Sequence, residues 1–61
     1  MSSDELIRLL KRAGWKKVHQ KGSHIQFTHA LQAGKITVPH PYKDMALGTC
    51  KAILKQAGLS Q

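Results

Sequence analysis

The stretch WKKVHQKGSHIQFTH, residues 15–29, decides the fold. Two runs in which apolar and polar residues alternate flank one glycine, Gly22. Alternation with period two, broken by a glycine, predicts a β-hairpin. The tightest closure puts Lys21-Gly22 at the turn and Gln20 opposite Ser23. In that register Val18 pairs with Ile25 and Lys16 with Phe27, so Val18, Ile25 and Phe27 share the buried face. The outer face then carries His19 beside His24, Lys17 beside Gln26, and Trp15 beside Thr28. Partners directly across two strands lie about 5 Å apart at Cβ. A longer turn slips the pairing by one residue and breaks this arrangement. The apolar match of Val18 with Ile25 favours the tight turn.

Working outward, SSDELIRLLKRAGW reads as a helix. Ser2 or Ser3 caps it, and Ser2 with Glu5 has the capping-box spacing. Leu6, Ile7, Leu10 and Ala13 form its apolar stripe, and Gly14 stops it. On the other side, KITVPHP reads as a third strand with Ile36 and Val38 facing inward and Pro39 ending it. ALQAGK is a loop, and HPYKDM a surface connector. ALGTCKAILKQAG reads as a second helix, with Leu47, Cys50, Ile53, Leu54 and Ala57 as its apolar stripe and Gly58 as its stop. The order is helix, strand, strand, strand, helix. A three-stranded antiparallel sheet with one apolar face needs cover on that face, and two helices supply it. This is an α+β, double-stranded-RNA-binding-domain-like α-β-β-β-α layout with both helices on one face, spanning residues 1–61 as a single domain.

Composition narrows the function. Ten Lys and Arg stand against three acids, for a formal net charge of +7. Such a balance points to a polyanionic partner. The acids are Asp4, Glu5 and Asp44, leaving none between residues 6 and 43. Magnesium and two-metal nuclease centres are built from several carboxylates. Phosphodiester chemistry on this chain therefore rests on His, Lys, Arg and hydroxyl groups, and no cofactor is expected. One cysteine, Cys50, excludes an internal disulfide, and the spacing of Cys50 and the histidines fits no standard zinc pattern. With neither a signal peptide nor an apolar run near 18 residues, a soluble, cytoplasmic chain with no membrane partner is expected.

His24 is the leading site candidate. By alternation it points away from Ile25 and Phe27. It is either a polar outward residue or a general acid–base group in RNA cleavage. An imidazole, with a reference pKa of ~6.5, takes the 2′-hydroxyl proton or protonates the leaving 5′-oxygen. His19 is a possible second acid–base group, or an incidental one. Gly22 and Ser23 shape the turn and offer a phosphate contact. Lys16, Lys17, Lys21, Lys35 and Lys43 form a patch suited to a phosphate backbone. Trp15 reads as a lid on the small core rather than a stacking platform.

GWKKVHQKGSHIQF, ITVPHP and GTCKAILKQAGLS together resemble the HicA toxins of HicA–HicB toxin–antitoxin systems, over nearly the whole chain. The resemblance implies a double-stranded-RNA-binding-like fold. It implies a metal-independent endoribonuclease that cleaves messenger RNA and halts translation; a monomer or weak dimer is expected for the chain alone. It also implies neutralisation by a cognate HicB antitoxin. It assigns the catalytic role to the histidine of GSH, here His24, with Gly22 shaping the turn that presents it. His19 lies outside the family pattern. In VPHP the histidine follows proline directly, where many relatives have one residue between. The competing reading is a non-catalytic RNA-binding module of the same fold, with His24 only a phosphate contact.

Overall fold

The helix α1 (Ser3–Arg12) begins where its polar residues predict. The Ser2 hydroxyl accepts the Glu5 N–H at 3.1 Å, and the Glu5 carboxylate accepts the Ser2 N–H at 3.2 Å. This closes the capping box and satisfies two amides that a helix start otherwise leaves unpaired. The Ser2 backbone N–H, and then its hydroxyl, hold the Glu5 carboxyl below its ordinary range. The effect stabilises the helix start above the ordinary carboxylate pKa and fades as pH falls through the depressed value. Leu6 and Leu10 bury fully, and the helix ends at Ala13 with Gly14 in a left-handed conformation.

The computed structural model describes residues 1–59; Ser60, which closes the quoted AGLS motif, lies outside the described residues. The remaining elements are β1 (Trp15–Lys21), β2 (His24–His29), β3 (Ile36–Pro39) and α2 (Leu47–Gln56), in the expected order. The sheet is antiparallel in the order β1-β2-β3. Both helices pack on one face of it, over Trp15, Ile25, Phe27, Ile36 and Val38. This is the α+β architecture expected from the sequence.

The register differs from the sequence expectation. The turn residues are Gly22 and Ser23, and Lys21 pairs with His24. Gly22 alone of the two has a positive φ, +56°, the sign pattern of a type II′ hairpin turn. His19 lies opposite Gln26 rather than His24, and Lys16 lies opposite Thr28 rather than Phe27. Lys17 faces Phe27, not Gln26, and Trp15 faces His29, not Thr28. The ladder skips Val18, which forms a β-bulge and is 53% exposed instead of joining the core.

The physical reason for the bulge is Trp15. With this turn and an unbroken ladder, Val18 and Lys16 would point inward and Trp15 outward. One bulged residue reverses the parity beyond it. Trp15 then enters the core at 2% exposure and Lys16 moves to the open face. Burying an aromatic of 150–250 Å² stabilises by about 4–6 kcal/mol at 25 cal/mol per Å². Burying a valine stabilises by about half of that or less.

The second helix carries a smaller correction. Cys50, Ile53 and Ala57 reach the core, but Leu47 is 69% exposed at the first turn. Met45, in the connector, takes the inward place. Its N–H donates to the Met1 carbonyl at 2.9 Å.

Gly14 gives a test of the core's edge. Its φ is +98°, and a Cβ there would lie 2.7 Å from His29 Nε2. That nitrogen donates to the Ala13 carbonyl at 2.8 Å. Gly14→Ala therefore adds a displaced hydrogen bond to backbone strain, for about 2 kcal/mol or more. At Gly22 a Cβ meets nothing within 4 Å, so Gly22→Ala costs only about 1 kcal/mol of strain. Thermal melts should rank Gly14→Ala well below Gly22→Ala; equal midpoints would remove the His29 contact from the account.

Candidate functional site

The sheet face away from the helices is set by the strand parity of β2. His24 is exposed, and Gln26 and Thr28 share its side, while Ile25 and Phe27 are buried. Pairing then brings Lys21 directly across from His24, His19 across from Gln26, and Lys16 across from Thr28. From β3, Thr37 lies across from Gln26 and Pro39 across from His24. A shallow depression forms here, lined by His19, Lys21, Gly22, Ser23, His24, Gln26 and Thr37. The three acids lie on α1 and in the connector before α2, so these strand residues include no carboxylate.

The four histidines have different surroundings. His29 uses both ring nitrogens on backbone: Nε2 donates to the Ala13 carbonyl at 2.8 Å and Nδ1 accepts the Leu31 N–H at 2.9 Å. Its ring meets Trp15 edge-on, with centroids 5.2 Å apart. His40 is directed to the start of α1, where Nδ1 lies 2.7 Å from the Ser3 hydroxyl. His19 and His24 are exposed, and their rings hydrogen-bond no side chain among the described residues. They lie diagonally across β1 and β2, where Cα atoms are separated by about 7–8 Å. That spacing accommodates a phosphate between two imidazoles.

The cations divide as well. Lys21 and Lys16 share the face of His24. Lys17 does not: by parity it lies on the helix side of the edge strand, where its ammonium donates to Gln20 Oε1 at 2.8 Å. Its predicted place beside Gln26 is overturned, because the turn at Gly22-Ser23 shifts the pairing and the bulge at Val18 turns Lys17 to the covered side. Lys35 precedes β3 and is exposed, and its carbonyl accepts from Gln56 Nε2 at 3.0 Å. Lys43 is exposed in the connector between β3 and α2. Sequence reasoning missed Gln26 and Thr37 as lining residues. Their signal was present, since each is a polar residue between two core residues, but only pairing places them together. Ser3 was read as a possible cap; it is instead 1% exposed and bonded to the connector.

A family model described as the HicA toxin of bacterial toxin-antitoxin matches residues 3–59. No curated protein is significantly similar in sequence. Among solved structures, a chain of a "HicA3 and HicB3 toxin-antitoxin complex" superposes with a TM-score of 0.88 at 32% identity, covering 100% of this chain and 98% of that chain.

Proposed function

The chain belongs to the HicA toxin family, and from that premise we propose that it is a metal-independent endoribonuclease that cleaves messenger RNA, with His24 as its acid–base group. The observation that carries this reading is the exposed His24 imidazole directly opposite Lys21, on strands without a carboxylate. In the proposed reaction the ribose 2′-oxygen forms a bond to phosphorus and the P–O5′ bond breaks. One group accepts the 2′-hydroxyl proton and one returns a proton to the 5′-oxygen. His24 serves one of these transfers, and His19, one diagonal away on the same face, is the candidate for the other. Lys21 offsets the charge that grows on the phosphorane oxygens, where a fixed cation contributes most. Lys16, Lys35 and Lys43 extend the attraction for the phosphate backbone, with Gly22 and Ser23 as the turn contact. Lys17 is less suited, since its ammonium is engaged by Gln20.

The similar solved chain is found in complex with HicB3, which supports a cognate HicB antitoxin as the protein partner here. No helix among the described residues is long and apolar enough to cross a membrane, which is compatible with action on messenger RNA in the cytoplasm.

The test is direct. Purified protein incubated with RNA in excess EDTA should yield fragments bearing 5′-hydroxyl ends. RNA that is bound but left intact would support the non-catalytic binding module instead. Cleavage that stops on chelation would overturn the metal-independent mechanism.

A further inference from the structure

We propose that His40 is a positioning residue for His24, acting through Ser23 and anchored on the buried hydroxyl of Ser3. This rests on the reading of His24 as the acid–base group. Pro39 is the β3 partner of His24 and has no N–H to give the ladder. The hairpin end is tied to that side by the next residue: the His40 N–H donates to the Ser23 carbonyl at 2.7 Å. The backbone at His40 thus sets where Ser23, and the ring that follows it, can lie.

The side chain of His40 fixes that backbone in turn. Its Nδ1 lies 2.7 Å from Ser3 Oγ, at a residue only 1% exposed. Ser3 is held from both sides, because its N–H donates to the Tyr42 carbonyl at 2.9 Å and its hydroxyl accepts the Tyr42 N–H at 2.9 Å. The hydroxyl has one proton to give, and the shorter contact to His40 takes it in preference to the Tyr42 carbonyl at 3.3 Å. On the far side of the ring, Asp4 Oδ1 is 3.9 Å from Nε2. That is too long for a hydrogen bond, but its negative charge favours the tautomer with the proton on Nε2. Nδ1 is then left as the acceptor the Ser3 proton needs. The chain of contacts runs from the start of α1, through Ser3 and the His40 ring and amide, to the Ser23 carbonyl beside His24.

Small misplacements of a reacting group cost up to about 10²-fold in rate. Cutting the tether should therefore slow the chemical step and leave RNA binding nearly intact. Asparagine at position 40 places an amide oxygen on Cγ, near where Nδ1 sits, and restores an acceptor for Ser3. Glutamine carries it one bond too far.

The experiment compares His40→Ala, His40→Asn, His40→Gln and Ser3→Ala with wild type and His24→Ala, all below their melting temperatures. Single-turnover cleavage should fall about 10- to 100-fold in His40→Ala, His40→Gln and Ser3→Ala. It should return to within about threefold of wild type in His40→Asn. Binding of 2′-O-methyl RNA should change less than about threefold throughout, since Lys16 and Lys21 stay in place and the turn at Gly22-Ser23 supplies only one contact. The Ser23 amide and His24 ring resonances should shift in His40→Ala and revert in His40→Asn. Wild-type cleavage by His40→Ala, or a binding loss equal to the rate loss, overturns the positioning role. Full cleavage by His24→Ala overturns the reading of the site itself. In that case the resonances still decide the tether: unmoved signals in His40→Ala refute it, and shifts that revert with asparagine uphold it.

Discussion

His24→Ala should lower the single-turnover rate of RNA cleavage by about 10²–10⁴-fold, the range a single acid–base group contributes. The fold should persist, because the ring is exposed and hydrogen-bonds no side chain among the described residues. Far-ultraviolet dichroism and the melting midpoint should match wild type within a few degrees. RNA binding should weaken only slightly, since Lys16 and Lys21 remain on the face. This separation of rate from stability and affinity is what distinguishes a proton-transferring group from a phosphate contact. A variant that binds tenfold more weakly and cleaves tenfold more slowly would place His24 among the contacts instead. His19→Ala, one diagonal away, should have the smaller effect of a partner that solvent can partly replace. Growth arrest by the His24→Ala protein would end the assignment.

Phe27→Ala should remove a large share of the domain's stability at 37 °C. Phe27 is fully buried at the centre of the sheet's covered face, between Lys17 of β1 and Ile36 of β3 in the ladder. Phe-to-Ala changes in cores cost about 3–5 kcal/mol through lost transfer energy and the cavity left behind. A domain of this length has roughly 3–9 kcal/mol in total, at 0.05–0.15 kcal/mol per residue. One side chain therefore carries a large share of the margin. The same domain has no disulfide to narrow its unfolded ensemble, since Cys50 is its single cysteine. A thermal melt should lose its cooperative transition or move down by about 15 °C or more. A midpoint within about 5 °C of wild type would mean the core tolerates the void, contrary to the packing described.

Most of the fold was legible in residue order. The Ser2–Glu5 capping box, the alternation of Ile25 and Phe27, the pair Ile36 and Val38, and the stripe Cys50, Ile53 and Ala57 each form as local pattern predicts. The outward direction of His24 was legible too, because its two inward neighbours, Ile25 and Phe27, fix the parity of β2 whatever β1 does. The partners of His24 were not. His19 and Lys21 take their partners from where the turn falls, and Lys16 and Lys17, beyond the bulge at Val18, take their faces from it.

Local periodicity thus determined which segments are helix or strand and which side of β2 meets the core, and composition left His, Lys, Arg and hydroxyl groups as the candidates for any phosphodiester chemistry. Only the tertiary structure decided that the turn falls at Gly22-Ser23, which puts Lys21 opposite His24, and which faces Lys16 and Lys17 take, because Val18 and Trp15 compete for the same covered surface and local pattern does not weigh one against the other. The larger ring wins by burying more area, and the strand yields one residue to let it in. The part-buried link from Ser3 to His40 has the same origin: it joins residues 37 apart in sequence, and they meet where α1 and the connector after β3 come together.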